Sequence, residues 1–292
     1  GPMLRLLCLR YGARRKENLA LLLGAAPVGG YCLAWLALAP RVPALGWQAV
    51  FLAPLMLTGA LLVAFWLLVS GGGPQAQPDG WSDKRRSLGQ TFRYLRQQRL
   101  WPMVLTSLCL GLVKENLALL LPALFVGFMG VKPETGSWFL VLSPMANLLG
   151  LVAGRALKRP LMRWPARGLA GTFLAMAAAC ACLALASGIQ AAGFLSLFLL
   201  TALAYLASCI QITYIPLAHQ SENLISTLVG LFDFANYMGA AFASALLGSL
   251  LARGALQEVA LLWLGVCLAA AAFAAFQAGG RRGQSPAHAA PE

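Results

Sequence analysis

Residues 101–130, WPMVLTSLCLGLVKENLALLLPALFVGFMG, decide the fold of this chain. Lys114 and Glu115 are the only charged side chains in this run, and they stand near its middle. A helix that crosses the roughly 30 Å hydrocarbon core of a bilayer needs about 20 mainly apolar residues. The stretch therefore predicts a transmembrane helix with an ionisable pair at mid-depth, where a charged group is costly and is usually functional.

Working outward, seven further stretches of the 292-residue chain are apolar enough to span a bilayer. The eight stretches lie at 18–38, 47–69, 101–130, 137–157, 168–188, 193–214, 224–251 and 256–277. Only 11% of the residues are charged, against about a quarter in soluble domains, which excludes a soluble or disordered chain. Because the runs are continuous rather than alternating, they predict helices and an all-α polytopic membrane protein with about eight transmembrane helices.

The net charge of +13 is distributed unevenly along the chain. If both termini are cytoplasmic, 18 of the 22 Lys and Arg residues fall in cytoplasmic segments, three fall outside and Lys114 lies within a span. Cytoplasmic loops of membrane proteins carry such an excess of basic residues. We therefore expect a multi-pass protein of the cell (inner) membrane with both termini in the cytoplasm, and we expect no nucleic-acid partner.

The spans and the polar segments divide the chain into five regions. We expect a cytoplasmic segment or the tail of an earlier helix at 1–17, two transmembrane helices at 18–69, a cytoplasmic linker at 70–100, six helices at 101–280 and a cytoplasmic tail at 281–292. The linker carries a basic amphipathic helix with Leu88, Phe92 and Leu95 on one face. This helix is expected at the membrane surface, either as a connector or as a binding element.

Three local motifs occur in an order that resembles a known transporter family. They are Ala25–Gly30 followed by Gly46-Trp47, Leu112–Asn116 with Pro122, and Gly230–Gly239. They resemble the fifth, seventh and eleventh helices of the organophosphate:phosphate antiporter (sugar-phosphate permease) family of the major facilitator superfamily. The resemblance implies a fold that lacks roughly the first four helices, with two helices of the N-terminal half and a complete six-helix C-terminal half.

The same resemblance implies a function and marks three departures from the family pattern. It implies a secondary active transporter that moves a small, anionic organic solute such as an organophosphate by alternating access; a non-transporting receptor or sensor of sugar-phosphate type is the alternative. Lys114 takes the place of the family's phosphate-binding arginine, and Ala26 replaces a histidine. Lys158 replaces the acidic residue of a short gating motif at 154–159.

The polar residues inside the spans are the candidate site. Lys114 is the leading candidate, since a buried ammonium normally faces water or an ionic partner. Glu115 lies about 100° around the helix, so we expect the two side chains to point in different directions. Asp233, Asn236 and Tyr237 share one helical face, which we expect to line the cavity opposite Lys114.

The candidate residues form two groups. The predicted substrate-binding residues are Lys114, Asn116, Asn147, Gln211, Asn236 and Tyr237, and the predicted coupling or ion-pair residues are Glu115 and Asp233. For Asn147, Gln211 and Tyr214, an interhelical hydrogen bond is the alternative to a ligand contact.

The sequence offers little support for an enzyme. It contains no GxSxG, HExxH or P-loop motif, and neither His219 nor His288 has a metal-ligand partner at useful spacing. We expect no enzymatic activity, no cofactor and no metal. The expected partners are a small-molecule solute, the lipid bilayer, and a missing N-terminal half or second polypeptide. Because two helices cannot close a cavity against six, the chain is expected to require such a partner, to oligomerise or to be inactive.

Overall fold

The computed structural model describes residues 26, 28–31, 33, 41–70, 88–129, 133–185, 189–219 and 224–280. No residue within these ranges belongs to a β-strand. The helices are α1 Val42–Ser70, α2 Leu88–Gln97, α3 Trp101–Met129, α4 Pro133–Ala156, α5 Lys158–Arg163, α6 Pro165–Leu185, α7 Gln190–Cys209, a π-helical turn Ile210–Tyr214, α8 Ile215–Leu217, α9 Ile225–Ala252 and α10 Leu256–Gly280. The predicted all-α class is confirmed.

The helices coincide with the predicted spans from 47 onward. Each of these seven stretches falls on a helix whose ends differ by a few residues, because hydropathy locates the apolar run and not the final polar turn. Most of the stretch at 18–38 lies outside the described residues. By length and composition, the described parts of α1, α6, α9, α10 and the continuous segment Gln190–Leu217 can each cross a membrane.

Six long helices form one bundle. In it, α6 packs along α10 and α7, α3 packs along α9, α10 and α7, and α4 lies against α7. A single apolar core runs through the bundle, with Val113, Phe173 and Trp263 among its fully buried side chains. This arrangement brings the charged centre of α3 close to the middle of α9 and α7.

The crossing of α3 and α9 depends on two glycines. A Cβ atom at Gly111 would collide with the backbone carbonyl of Asn236, and one at Gly239 would collide with the carbonyl of Leu108. Only glycine lets the two backbones approach this closely, as is common where membrane helices pack. The crossing therefore fixes the register between the polar residues of α3 and those of α9.

The first described transmembrane helix has different surroundings. No residue of Val50–Leu67 in α1 is buried, although this segment has a mean hydropathy of 2.2. At the start of α1, Gly46 has φ 76°, which breaks the regular helix there. In a bilayer, acyl chains or another polypeptide would cover this apolar surface.

One end of the bundle carries the amphipathic helix α2. Leu95 is buried in the core, whereas Phe92 is half exposed and stacks on Trp101 at a centroid distance of 5.8 Å. The basic side chains Arg93 and Arg96 are exposed. Of the predicted apolar face, Leu95 packs into the core and Phe92 lies at the edge of the bundle. The side chain of Leu88 lies outside the described residues.

Candidate functional site

The charged centre of α3 is an ion pair between neighbours. Lys114 Nζ lies 2.6 Å from Glu115 Oε1, and the two side chains are 15% and 20% exposed. The prediction that these side chains point in different directions is wrong. Their Cβ atoms do diverge by about 100°, but the long lysine chain curves back to the carboxylate, because an unpaired charge at this depth costs several kcal/mol (about 2.5–3.5 on insertion scales).

Two neighbouring helices complete the surroundings of the pair. From α9, Asn236 Nδ2 donates a hydrogen bond to Glu115 Oε1 at 2.9 Å. From α7, the ring of Tyr205 lies under Lys114 Nζ at 5.2 Å from its centroid. The lysine thus has a carboxylate on one side and an aromatic face on the other, and the carboxylate has one donor from α3 and one from α9.

Beside the pair lies a cavity of about 490 Å³. It is lined by Tyr31, Glu115, Asn116, Ala118, Leu121, Ser143, Pro144, Asn147, Ala240 and Ser244. Its walls therefore come mainly from α3, α4 and α9. The volume falls in the range of sites for small organic molecules, about 300–1,000 Å³.

Lys114 borders a separate and much smaller space, which also touches Thr201 and Tyr205 of α7. The two spaces share the wall residues Ala118, Leu121, Ser143 and Asn147. The carboxylate of the ion pair therefore faces the larger cavity, and the ammonium lies behind it. Of the two spaces, Lys114 borders the smaller one, and its predicted contact with a solute stays a prediction.

Asn116 holds α3 to α9 along the cavity wall. Its Nδ2 lies 3.2 Å from the carbonyls of Leu112 and Ala240, and its Oδ1 accepts a 2.9 Å hydrogen bond from Ser244 Oγ. Ser244 Oγ also lies 2.8 Å from the Ala240 carbonyl. Asn116 is thus both a wall residue and a clamp between the two helices.

Asn147 of α4 has an unsatisfied polar atom. The residue is 4% exposed and borders both spaces, yet its Oδ1 has no hydrogen-bond partner among the described residues. A buried carbonyl oxygen without a partner costs about 1–3 kcal/mol. Such an atom on a cavity wall indicates a ligand or water that supplies the missing donor.

Gln211 does not lie on the cavity wall. Its Nε2 donates a 3.0 Å hydrogen bond to Thr106 Oγ1, and both residues are buried. Thr106 lies eight residues before Lys114 on α3, which corresponds to about 12 Å along a helix axis. Gln211 therefore makes an interhelical hydrogen bond, which was the alternative to a ligand contact. The side chain lies at a different depth along the bundle from the ion pair.

Tyr214 also forms an interhelical hydrogen bond. Its hydroxyl donates to the Gly154 carbonyl at 2.9 Å, and the residue ends the π-helical turn that follows α7. Gly154 begins the segment that resembles a gating motif. The bond therefore ties the last turn of α4, where the basic segment begins, to the π-helical turn after α7.

The predicted polar face of α9 is divided. Asn236 is buried against Glu115, Asp233 is partly buried, and Tyr237 is 64% exposed. Asp233 lies close enough to Lys114 and Glu115 to interact electrostatically with both. The counter-ion in direct contact with Lys114 is Glu115, and the predicted coupling or ion-pair role of Asp233 stays a prediction.

Sequence reasoning missed several wall residues. Tyr31, Ser143 and Ser244 line the larger cavity, and Thr201 and Tyr205 line the smaller space. Hydroxyl side chains are frequent in membrane helices, where most of them bond to their own backbone, so they give little signal alone. Spacing could have found Ser244, which lies eight residues after Asn236 and therefore on the same face.

The described residues contain no group of three or more His, Cys, Asp or Glu side chains that could hold a metal ion. The chemistry that the site offers is binding through a carboxylate, amides, hydroxyls and aromatic rings. A solute in the larger cavity would contact these groups from three helices at once.

Comparison with known proteins gives a family. The model of the Major Facilitator Superfamily matches residues 3–244, which is most of the chain and includes every residue named above as a wall of the larger cavity. No curated protein and no solved structure matches the chain. The chain belongs to the Major Facilitator Superfamily, a family of membrane transporters.

Proposed function

We propose that the chain is a secondary active carrier that moves a small organic solute by alternating access, with the cavity beside Glu115 as its solute site. The observation that carries this proposal is the unsatisfied Oδ1 of Asn147, buried on the wall of a cavity of about 490 Å³ next to the ion pair. Family membership supports a transporter, and the cavity supplies a site at mid-depth, where such carriers bind their solutes.

The helices around the cavity are suited to rearrangement. Pro144 lies inside α4 and on the cavity wall, and it removes the backbone donor that would bond to the carbonyl four residues earlier. A weakened helix next to a solute site can bend at low cost. The α3–α9 contact is rigid by comparison, since its glycines leave no space between the backbones. We propose that α4 moves relative to the α3–α9 pair when the site opens and closes.

Two features of the chain bear on the class of solute. The sequence resemblance and the buried lysine support an organic anion, with organophosphates as the example and exchange for phosphate as one form of coupling. The contacts of Lys114 weaken this support, because its charge is already balanced by Glu115 at 2.6 Å. An anion would have to displace the carboxylate from the lysine before it could bind.

We propose that the protein lies in the inner membrane of the cell. In this orientation both termini and the basic segments are in the cytoplasm. The exposed basic residues of α2 and α5 lie at the end of the bundle where Gln98 and Gln277 meet, and where Tyr94 contacts His219. No described Asp or Glu lies in α2 or α5. Positive charge concentrated at one end supports the cytoplasmic assignment.

We also propose that a second six-helix unit, from another polypeptide or another copy, completes the transporter. Phe234, Tyr237 and Phe242 of α9 are each more than 60% exposed, and this surface borders the cavity region. Cross-linking in the native membrane tests this proposal, because a surface that faces only lipid forms no cross-link to a second polypeptide.

Reconstitution tests the carrier proposal. The full chain would be placed in liposomes with and without native membrane extract, and uptake of labelled glucose 6-phosphate, glucosamine and glucose would be followed. We expect accumulation of at least one solute, which Asn147→Leu abolishes by removing the amide from the cavity wall and Gly248→Ala leaves unchanged, since Gly248 has open space around it. Saturable binding without accumulation would instead support the sensor alternative.

A further inference from the structure

Acidic side chains outnumber basic ones around the site. Among the described residues, the acidic and basic side chains that interact with one another beside the cavity are Lys114, Glu115 and Asp233. If all three are ionised, one positive and two negative charges leave a net charge of −1. Bringing a negative solute into such a site costs electrostatic energy, and bringing a positive one gains it.

Lys114 itself shows how the site holds an ammonium group. Its Nζ contacts a carboxylate oxygen at 2.6 Å and lies over an aromatic ring at 5.2 Å. A carboxylate combined with an aromatic face is the usual surrounding of a bound organic cation. The protein's own ammonium occupies this position on the side of the smaller space, where Tyr205 lies.

The larger cavity presents similar groups to a solute. Glu115 is on its wall, together with the ring-bearing Tyr31 and the amide of Asn147. Asn147 Oδ1 has no donor, and the residue is 4% exposed. Lys114 is not on this wall. A molecule here therefore meets a carboxylate and an unsatisfied carbonyl oxygen, both of which accept hydrogen bonds.

We infer that the solute is an amine-bearing organic cation, which binds Glu115 and Asn147 from the larger cavity and competes with Lys114 for the carboxylate. This inference rests on the proposed carrier function and names its solute class. The ammonium of the solute donates to Glu115 and to Asn147 Oδ1. Lys114 acts through Glu115 as a positioning residue and holds the carboxylate when the solute is absent.

Two thiol reagents of opposite charge test the preference without knowledge of the natural solute. Ser143 lies on the wall of both spaces, so Ser143→Cys places a reporter thiol there. The full chain in liposomes would be treated with trimethylammonium-ethyl methanethiosulfonate or sulfonatoethyl methanethiosulfonate. Peptide mass spectrometry would give the rate at this position alone, normalised to the rate of each reagent with free cysteine.

We expect the cationic reagent to react about fivefold faster after normalisation, because the two reagents feel one net charge with opposite sign at about 8 Å in a water-filled cavity. Glu115→Gln should reduce the ratio to about one or below, and Lys114→Met should raise it. Glu258→Gln is the matched control, because Glu258 is exposed in the first turn of α10 and should not affect the ratio. Lys114→Met keeps the test decisive if Glu115→Gln does not fold.

Three outcomes would overturn the inference. The first is a ratio of cationic to anionic reaction rates that is below one and moves toward one in Lys114→Met. This result would support an organic anion as the solute. The second is a ratio near one that neither variant changes. The third is a reporter that neither reagent modifies, which would mean that the cavity is closed to small charged molecules. None of these measurements requires transport. The solute-class inference can therefore fail while the carrier proposal stands, and the carrier proposal is decided by uptake into liposomes.

Discussion

Gly111 of α3 stands directly against the backbone carbonyl of Asn236 in α9, so a single methyl group at position 111 has no room. Asn236 uses its side chain to bond Glu115, one turn further along α3. The close approach of the two backbones and the polar contact are therefore parts of one arrangement, in which the packing of glycine positions the charged pair.

This arrangement predicts the effect of adding one methyl group. Gly111→Ala should push α3 and α9 apart and lower the free energy of unfolding by about 1–3 kcal/mol, the usual cost of overpacking. Gly248→Ala, in the partner helix α9 and with open space around it, should have little effect. Thermal unfolding in detergent would measure both. Equal stabilities of the two variants would contradict the close contact.

A second prediction concerns the ion pair. Lys114→Met should destabilise the protein by about 2–3 kcal/mol, because it leaves the partly buried Glu115 carboxylate without its partner, while the double variant with Glu115→Gln should recover most of the loss. Unfolding of both single variants and the double variant gives the coupling free energy. Additive effects of the two substitutions would show that the side chains do not interact.

A third prediction separates packing from solute contact at Gln211. Gln211→Leu removes the hydrogen bond to Thr106 and should cost about 1 kcal/mol of stability, with solute binding unchanged. Thr106→Val serves as its counterpart on α3 and should behave alike. A change in solute affinity that exceeds the change in stability would instead return Gln211 to the solute site.

A fourth prediction concerns orientation. Arg159 lies in α5 and Gln257 in α10, and both are exposed at opposite ends of the bundle. Arg159→Cys should react with a membrane-impermeant maleimide only after the cells are permeabilised, whereas Gln257→Cys should react in intact cells. Labelling in the reverse pattern would invert the proposed topology and would contradict the distribution of basic residues.

The sequence predicted the helices well because the physical signal is large. A run of 18 mainly apolar residues such as Val50–Leu67 has no stable place other than a bilayer or a core, and each of the seven stretches from 47 onward became a helix. The π-helical turn at Ile210–Tyr214 gave no such signal, because one extra residue per turn does not alter hydropathy.

The site was harder to predict because it depends on side-chain reach and on depth. Helical-wheel angles separated Lys114 from Glu115, yet a flexible side chain joined them. Polarity alone selected Gln211 together with Asn147, although only Asn147 lies at the depth of the cavity. Ser143 and Ser244 carried no distinctive pattern and became visible only when three helices were brought together.

The bond between Tyr214 and Gly154 has a consequence for motion at the basic end of the bundle. Arg155 in the last turn of α4 and Arg159 in α5 carry exposed charges that must stay hydrated. Tyr214 is buried and must stay packed. The Tyr214 hydroxyl thus links the hydrated basic segment to the buried π-helical turn. If either segment moves, the other must move with it or the hydrogen bond must break. Loss of a single oxygen atom, as in Tyr214→Phe, would let the two swing independently.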